Sequence, residues 1–197
     1  MRKLSLFTIL SILCLFLISI GTVFAEEPVK TPFSKPDYRI AIIPYINSSE
    51  ETKGYIKETI DNKYSEQYSN DKFKMIPIVD VQKALNVAGY DASNMELPDK
   101  EVLSTVAKET NADYVIAMEI SQLITTRHIS FFQSKVVTKS KLRYKFYNVE
   151  QDKVISFQTT GLSENKTVFG DVGYKDPITK ALSQAMDEAN EKIMSSL

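Results

Sequence analysis

The chain has 197 residues, of which 43% are hydrophobic, and a formal net charge of −1. That length suits a single domain with one core, and the near balance of acid and base carries no nucleic-acid signature. One cysteine excludes an internal disulfide framework, and one histidine excludes a metal site of the usual histidine and cysteine kind.

Met1-Arg2-Lys3 is a short basic start, followed by an apolar run from Leu4 to Ile20 and then by Gly21-Thr22-Val23-Phe24-Ala25. Val23 and Ala25 occupy the −3 and −1 positions of a small-residue cleavage site, so residues 1–25 read as a secretory signal peptide. The alternative is an uncleaved membrane anchor, because the apolar run is long for a signal. Cys14 follows Leu13 in mid-run, which is not the setting of a lipidated cysteine. Cleavage would remove that only cysteine, so the exported chain has no thiol chemistry. Residues 26–37 hold Pro28, Pro32 and Pro36 and read as an extended linker, with residues 38–197 forming one domain.

The run Arg39-Ile40-Ala41-Ile42-Ile43-Pro44-Tyr45-Ile46 is nearly continuous in apolar, mostly β-branched residues, which predicts a strand buried on both faces. Ser48 and Glu51 then fit a capping box, and Ile56, Ile60, Tyr64 and Tyr68 recur at helical spacing to about Asn70. Phe73 to Ile78 predicts a short strand that Pro77 confines towards an edge. Asp80 is expected to cap a short helix that buries Val81, Ala84, Leu85 and Ala88 and closes at Gly89. Tyr90 to Pro98 reads as a loop. A helix over Asp99 to Thr110, with Val102, Leu103, Val106 and Ala107 inward, ends at Asn111 and leads into a third strand, Asp113 to Ile120.

Thr126 to Gln133 reads as a connection. From Ser134 to Val149, Val136, Leu142, Tyr144 and Phe146 share one parity, and Val137, Lys139, Lys141, Arg143, Lys145 and Tyr147 share the other. A turn at Glu150 to Lys153 returns the chain as an antiparallel partner, Val154 to Thr160, and Ser163 to Lys175 reads as a polar loop. Asp176 then caps a last helix with Pro177 in its first turn. Its apolar stripe is Ile178, Ala181, Leu182, Ala185, Met186, Ala189, Ile193 and Leu197. The fold class is therefore α/β: a single mixed sheet of about five strands, the first three parallel and then an antiparallel hairpin, flanked by about four helices.

Three stretches carry a family resemblance: Ile40-Ala41-Ile42-Ile43-Pro44-Tyr45-Ile46-Asn47, Thr110-Asn111-Ala112-Asp113-Tyr114-Val115-Ile116, and Leu142-Arg143-Tyr144-Lys145-Phe146-Tyr147-Asn148-Val149-Glu150. They resemble the opening strand, the helix end with third strand, and the hairpin strand of the periplasmic domain family shared by the curli secretion component CsgG, the penicillin-binding-protein activator LpoB and the TolB amino-terminal domain. The chain departs from that pattern at Ala117-Met118 and at Asp152, where the family usually has glycine. The resemblance implies a non-enzymatic protein that binds other envelope proteins or assembles into a secretion channel. A channel needs hairpins with an apolar outward face, whereas Lys139, Lys141, Arg143 and Lys145 occupy that parity here.

Two candidate contact surfaces follow. Lys139, Lys141, Arg143 and Lys145, with Lys135 nearby, form a basic stripe suited to an acidic partner or simply to solvent. Phe131 and Phe132, beside His128 and Ile129, either point in opposite directions, leaving one as a contact anchor, or are both buried by a curled segment. The sequence lacks a Gly-x-Ser-x-Gly, His-Glu-x-x-His, phosphate-loop or calcium-loop motif, so no catalytic residue, metal or cofactor is expected. The expectation is an exported binding module, periplasmic or secreted, that meets an envelope protein or an anionic envelope polymer. It meets a membrane only if the leading segment is retained. The alternatives are a membrane-tethered subunit of an oligomeric envelope assembly and an unrecognised hydrolase.

Overall fold

The computed structural model describes residues 38–168, 170 and 172–197. The signal segment and linker expected over residues 1–37 lie outside the described residues. Strand β1 (Tyr38–Ile42) lies between β3 (Phe73–Met75) and β4 (Tyr114–Ile129) and is parallel to both. Ile40, Ala41, Ile42 and Ile43 are all buried, so protein covers this stretch above and below. The single strand expected through Ile46 is interrupted: Pro44 offers no N–H, and the chain resumes as β2 (Ile46–Asn47) further along β4. Beyond β4 the sheet continues antiparallel through β5 (Ser134–Asn148) to β6 (Lys153–Thr167), giving the order β3-β1-β4-β5-β6.

Helix α1 (Gly54–Tyr68) buries Ile56, Ile60, Tyr64 and Tyr68 as the spacing predicts. Its expected capping box does not form. Asn47 instead folds residues 47–51 into a turn, accepting the Ser49 N–H (3.1 Å) and donating to the Glu51 carbonyl (2.7 Å), so the helix starts only after Lys53. Helix α2 (Ile78–Val87) begins directly after Pro77, which places Asp80 inside its first turn rather than at the cap. Gly89, at φ +67°, closes it. Helix α3 (Lys100–Thr110) is capped by Asp99, whose Oδ1 accepts the Val102 N–H at 2.9 Å, and Asn111 ends it at φ +50°.

Helix α4 (Lys175–Met194) is capped at Tyr174, not at Asp176, which sits in the first turn and complements the helix dipole there. The first intrahelical donor is Ile178, to the Tyr174 carbonyl at 3.2 Å, so the missing N–H of Pro177 still costs no bond. The stripe from Ile178 to Ile193 is buried, whereas Leu197 lies past the helix end and is exposed. Each large side chain of that stripe contributes about 1.5–3 kcal/mol by leaving water.

Two helices cover each face of the sheet. Helices α1 and α4 close one core with Ile40, Ile42, Ile116, Met118, Leu142 and Phe146, and α2 and α3 close the other with Ala41, Ile43, Val115, Ala117 and Tyr147. Helix α4 sits close to β6: a Cβ on Gly161 would come within 1.8 Å of the Ala181 carbonyl oxygen, which also accepts the buried Ser140 hydroxyl at 2.8 Å. The same helix reaches the outer edge of β6. Glu188 accepts the Thr160 N–H (3.3 Å), Gln184 accepts the Leu162 N–H (3.0 Å), and Lys192 donates to the Gln158 carbonyl (3.1 Å).

Both long strands overrun their expected ends. β4 continues to Ile129, past a bulge between Ile120 and Gln122 that returns Leu123 to the core face. The segment Thr126 to Ile129 is therefore strand rather than connection. β6 pairs with β5 as far as Thr167, so the start of the expected polar loop is also strand. At the β5–β6 turn Asp152 takes φ +47° without being glycine. Its carboxylate accepts Lys100 Nζ (2.7 Å) and Tyr147 Oη (2.9 Å), which hold the turn against α3.

Candidate binding surface

On the α2–α3 side the helical cover stops short of the far half of β4, β5 and β6, and the residues there stand in rows across three strands. Ile124, Lys139 and Leu162 form one row, Gln122, Lys141 and Thr160 the next, and Glu119, Arg143 and Gln158 a third. Ile124, Lys139, Leu162, Thr160, Arg143 and Gln158 are exposed.

The four basic residues of the stripe share this face but differ in what they touch. Arg143 Nε donates to Glu119 Oε2 at 2.8 Å, and its Nη2 reaches the same oxygen. Glu119 is buried, and its other oxygen accepts the Ser48 hydroxyl at 2.9 Å. Lys145 Nζ donates to the carbonyls of Leu97 (3.2 Å) and Pro98 (2.9 Å), which ties the α2–α3 connection to β5. Those two cations belong to the framework. Lys139 and Lys141 have no carboxylate within ion-pair distance among the described residues, and Lys135 pairs with Glu164 at 2.5 Å. That hydrogen bond from Lys135 holds the Glu164 carboxyl below its ordinary value. An open groove of about 590 Å³ runs alongside, lined by Glu96, Leu97, Arg143, Lys145, Ser156 and Gln158 among others.

At the far end of the hairpin, Ser130 and Gln133 close a two-residue turn through paired backbone bonds of 2.8 and 3.4 Å. Phe131 and Phe132 are its central residues. Burial by a curled segment fails, and outward exposure extends to both rings rather than one: they are 93% and 66% exposed and meet edge to face at 4.8 Å, so they do not point apart. The reason is the strand length, since pairing continues to Ile129 and Ser134 and leaves only the turn to hold the rings. Ile129 beside them is 76% exposed. His128 is exposed and faces Lys135 across the strand pair.

Sequence reasoning missed Glu119, Ile124, Leu162 and Lys166 as members of this surface. Glu119 carried a usable signal: it is a carboxylate on the parity of Val115 and Ala117, a position that demands a donor. Ile124 was hidden by the bulge, which shifts the period-two pattern by one residue. Among the described residues no group of three His, Cys, Asp or Glu side chains is placed to hold a metal, and no helix is long and apolar enough to cross a membrane.

No protein-family model and no curated protein matches the chain. Solved structures do. Lipoprotein GNA1162 from Neisseria meningitidis is 13% identical, covers 81% of this chain and 99% of its own, and superposes with a TM-score of 0.46. The hypothetical protein CT253 from Chlamydia trachomatis is 14% identical over 81% of this chain and 95% of its own, with a TM-score of 0.49. The LpoB C-terminal domain from Escherichia coli is 15% identical over 65% of this chain and 83% of its own, with a TM-score of 0.41. Likeness at this level says nothing of ligand or activity.

Proposed function

We propose that this protein is an exported, non-enzymatic binding module of the cell envelope that acts by contact, its working surface being the bare face of β4, β5 and β6. One observation carries the reading: Lys139 and Lys141 stand on an uncovered sheet face without a carboxylate partner among the described residues, while the neighbouring Arg143 and Lys145 are engaged with the framework. Two unneutralised cations beside exposed Ile124 and Leu162 suit an acidic partner with some apolar surface, either an envelope protein or an anionic envelope polymer.

The test is affinity capture from envelope extract with the full chain and with K139E/K141E. The wild type should retain a component that is released as salt rises, and the double reversal should lose it while keeping its thermal midpoint within about 1 °C. Retention that is indifferent to salt and to the reversal sinks the proposal. Mass measurement of the fractionated protein, which tests cleavage after Ala25, addresses export and release separately.

A further inference from the structure

The turn at Phe131 and Phe132 is a second feature, adjoining the lysine face at the far end of β4, β5 and β6. Two aromatic rings and Ile129 stand exposed at the turn that ends the β4–β5 hairpin. Apolar surface concentrated in this way marks a place where a partner or another phase takes it up. Directly behind the rings the chemistry changes. His128, Lys135 and Lys166 lie in one row across β4, β5 and β6. Arg127 is held nearby over the Tyr174 ring at 4.5 Å and donates to the Val172 carbonyl. Within residues 124–139 and 162–168 the only carboxylate is Glu164, and it is bonded to Lys135. In that row Lys135 and Lys166 stand together against the single neighbouring carboxylate, Glu164, so the row keeps a positive balance.

We infer that this tip docks on an anionic phospholipid bilayer, with Phe131, Phe132 and Ile129 entering the boundary between headgroups and acyl chains and the cationic collar lying against the headgroups. The order of the layers decides in favour of lipid. A bilayer presents an anionic layer outside an apolar one, and the tip presents apolar side chains ahead of cations. A protein pocket that accepted the rings would leave the collar around its rim, where charges add little to affinity. With so few apolar side chains the attachment is shallow and reversible.

The chain contains no tryptophan, so F131W places a lone fluorophore at the tip. The full-length variant is mixed with vesicles made of equal parts phosphatidylcholine and phosphatidylglycerol, and in parallel with vesicles carrying brominated acyl chains. Emission should shift to shorter wavelength and be quenched by bromine. Adding K135E/K166E should weaken the apparent vesicle affinity about tenfold or more, as should raised salt. V87W, whose ring stands on the exposed side of α2, carries the same leading apolar segment and should show neither effect. Emission of F131W that is unchanged by the mixed vesicles overturns the inference. An equal response to phosphatidylcholine alone overturns the anionic assignment. A shift that needs no vesicles and grows with protein concentration overturns it in favour of a second copy.

Discussion

Glu119 occupies an inward position of β4 where its neighbours on the same face are Val115 and Ala117, and it is tolerated there because Ser48 and two nitrogens of Arg143 reach its carboxylate. Removing one partner of a buried pair leaves the other charge without compensation. R143A should therefore lower stability by about 2 kcal/mol, less than for a fully enclosed pair because half of the Arg143 side chain is in water. R143K should recover only part, since an ammonium cannot match the planar fork. Urea denaturation midpoints check both, and K139A and K141A should stay within about 0.5 kcal/mol of wild type. Parity placed Arg143 on the right face from sequence alone. Its partner, however, is brought alongside by strand pairing, which alternation does not encode.

At the scale of elements, the contact between β6 and α4 sets the depth at which the helix is seated. Gly161 lets the Ala181 backbone approach closely, and fully buried Ala181 and Ala185 keep the helix near the sheet. A methyl group at Gly161 would push against a helical carbonyl rather than a flexible side chain. G161A should therefore cost about 1–3 kcal/mol, seen as a lower thermal midpoint, with the secondary structure retained. The elements legible in the sequence are those written in local pattern: the both-face burial of β1, the Asp99 and Asn111 ends of α3, and the stripe of α4. The outer parts of β4 and β6 were not legible. A bulge broke the period of one, and Ser163 to Thr167 is held by backbone pairing with β5 rather than by burial of a hydrophobic row. The start of α1 differs from its expected place because Asn47 makes a local turn that no spacing rule reveals, and α4 begins at Lys175 with no side-chain cap at all.

At the scale of the whole molecule, Asp152, Glu164 and Glu188 are among the carboxylates that link separate pieces: Asp152 with Lys100 of α3, Glu164 of β6 with Lys135 of β5, and Glu188 of α4 with Lys192 and the β6 backbone. Hydrogen bonds from Lys100 and Tyr147 lower the Asp152 carboxyl, Lys135 lowers that of Glu164, and Lys192 lowers that of Glu188. Each therefore binds its proton less readily folded than unfolded. Their contribution is complete above the ordinary carboxylate range and disappears as pH falls through the depressed folded values. The thermal midpoint should lose this contribution below about pH 4, and D152N/E164Q/E188Q should flatten the fall. Asparagine at position 152 keeps the left-handed turn, so that variant tests charge rather than backbone. The side chains that α4 lays along the rim of β6 have one more effect, because a long rim strand is ordinarily an invitation to neighbouring molecules. An arriving strand would find the rim already engaged at Gln158, Thr160 and Leu162, in the middle of its run. Strand-to-strand addition by a second copy is thereby obstructed along the middle of that margin.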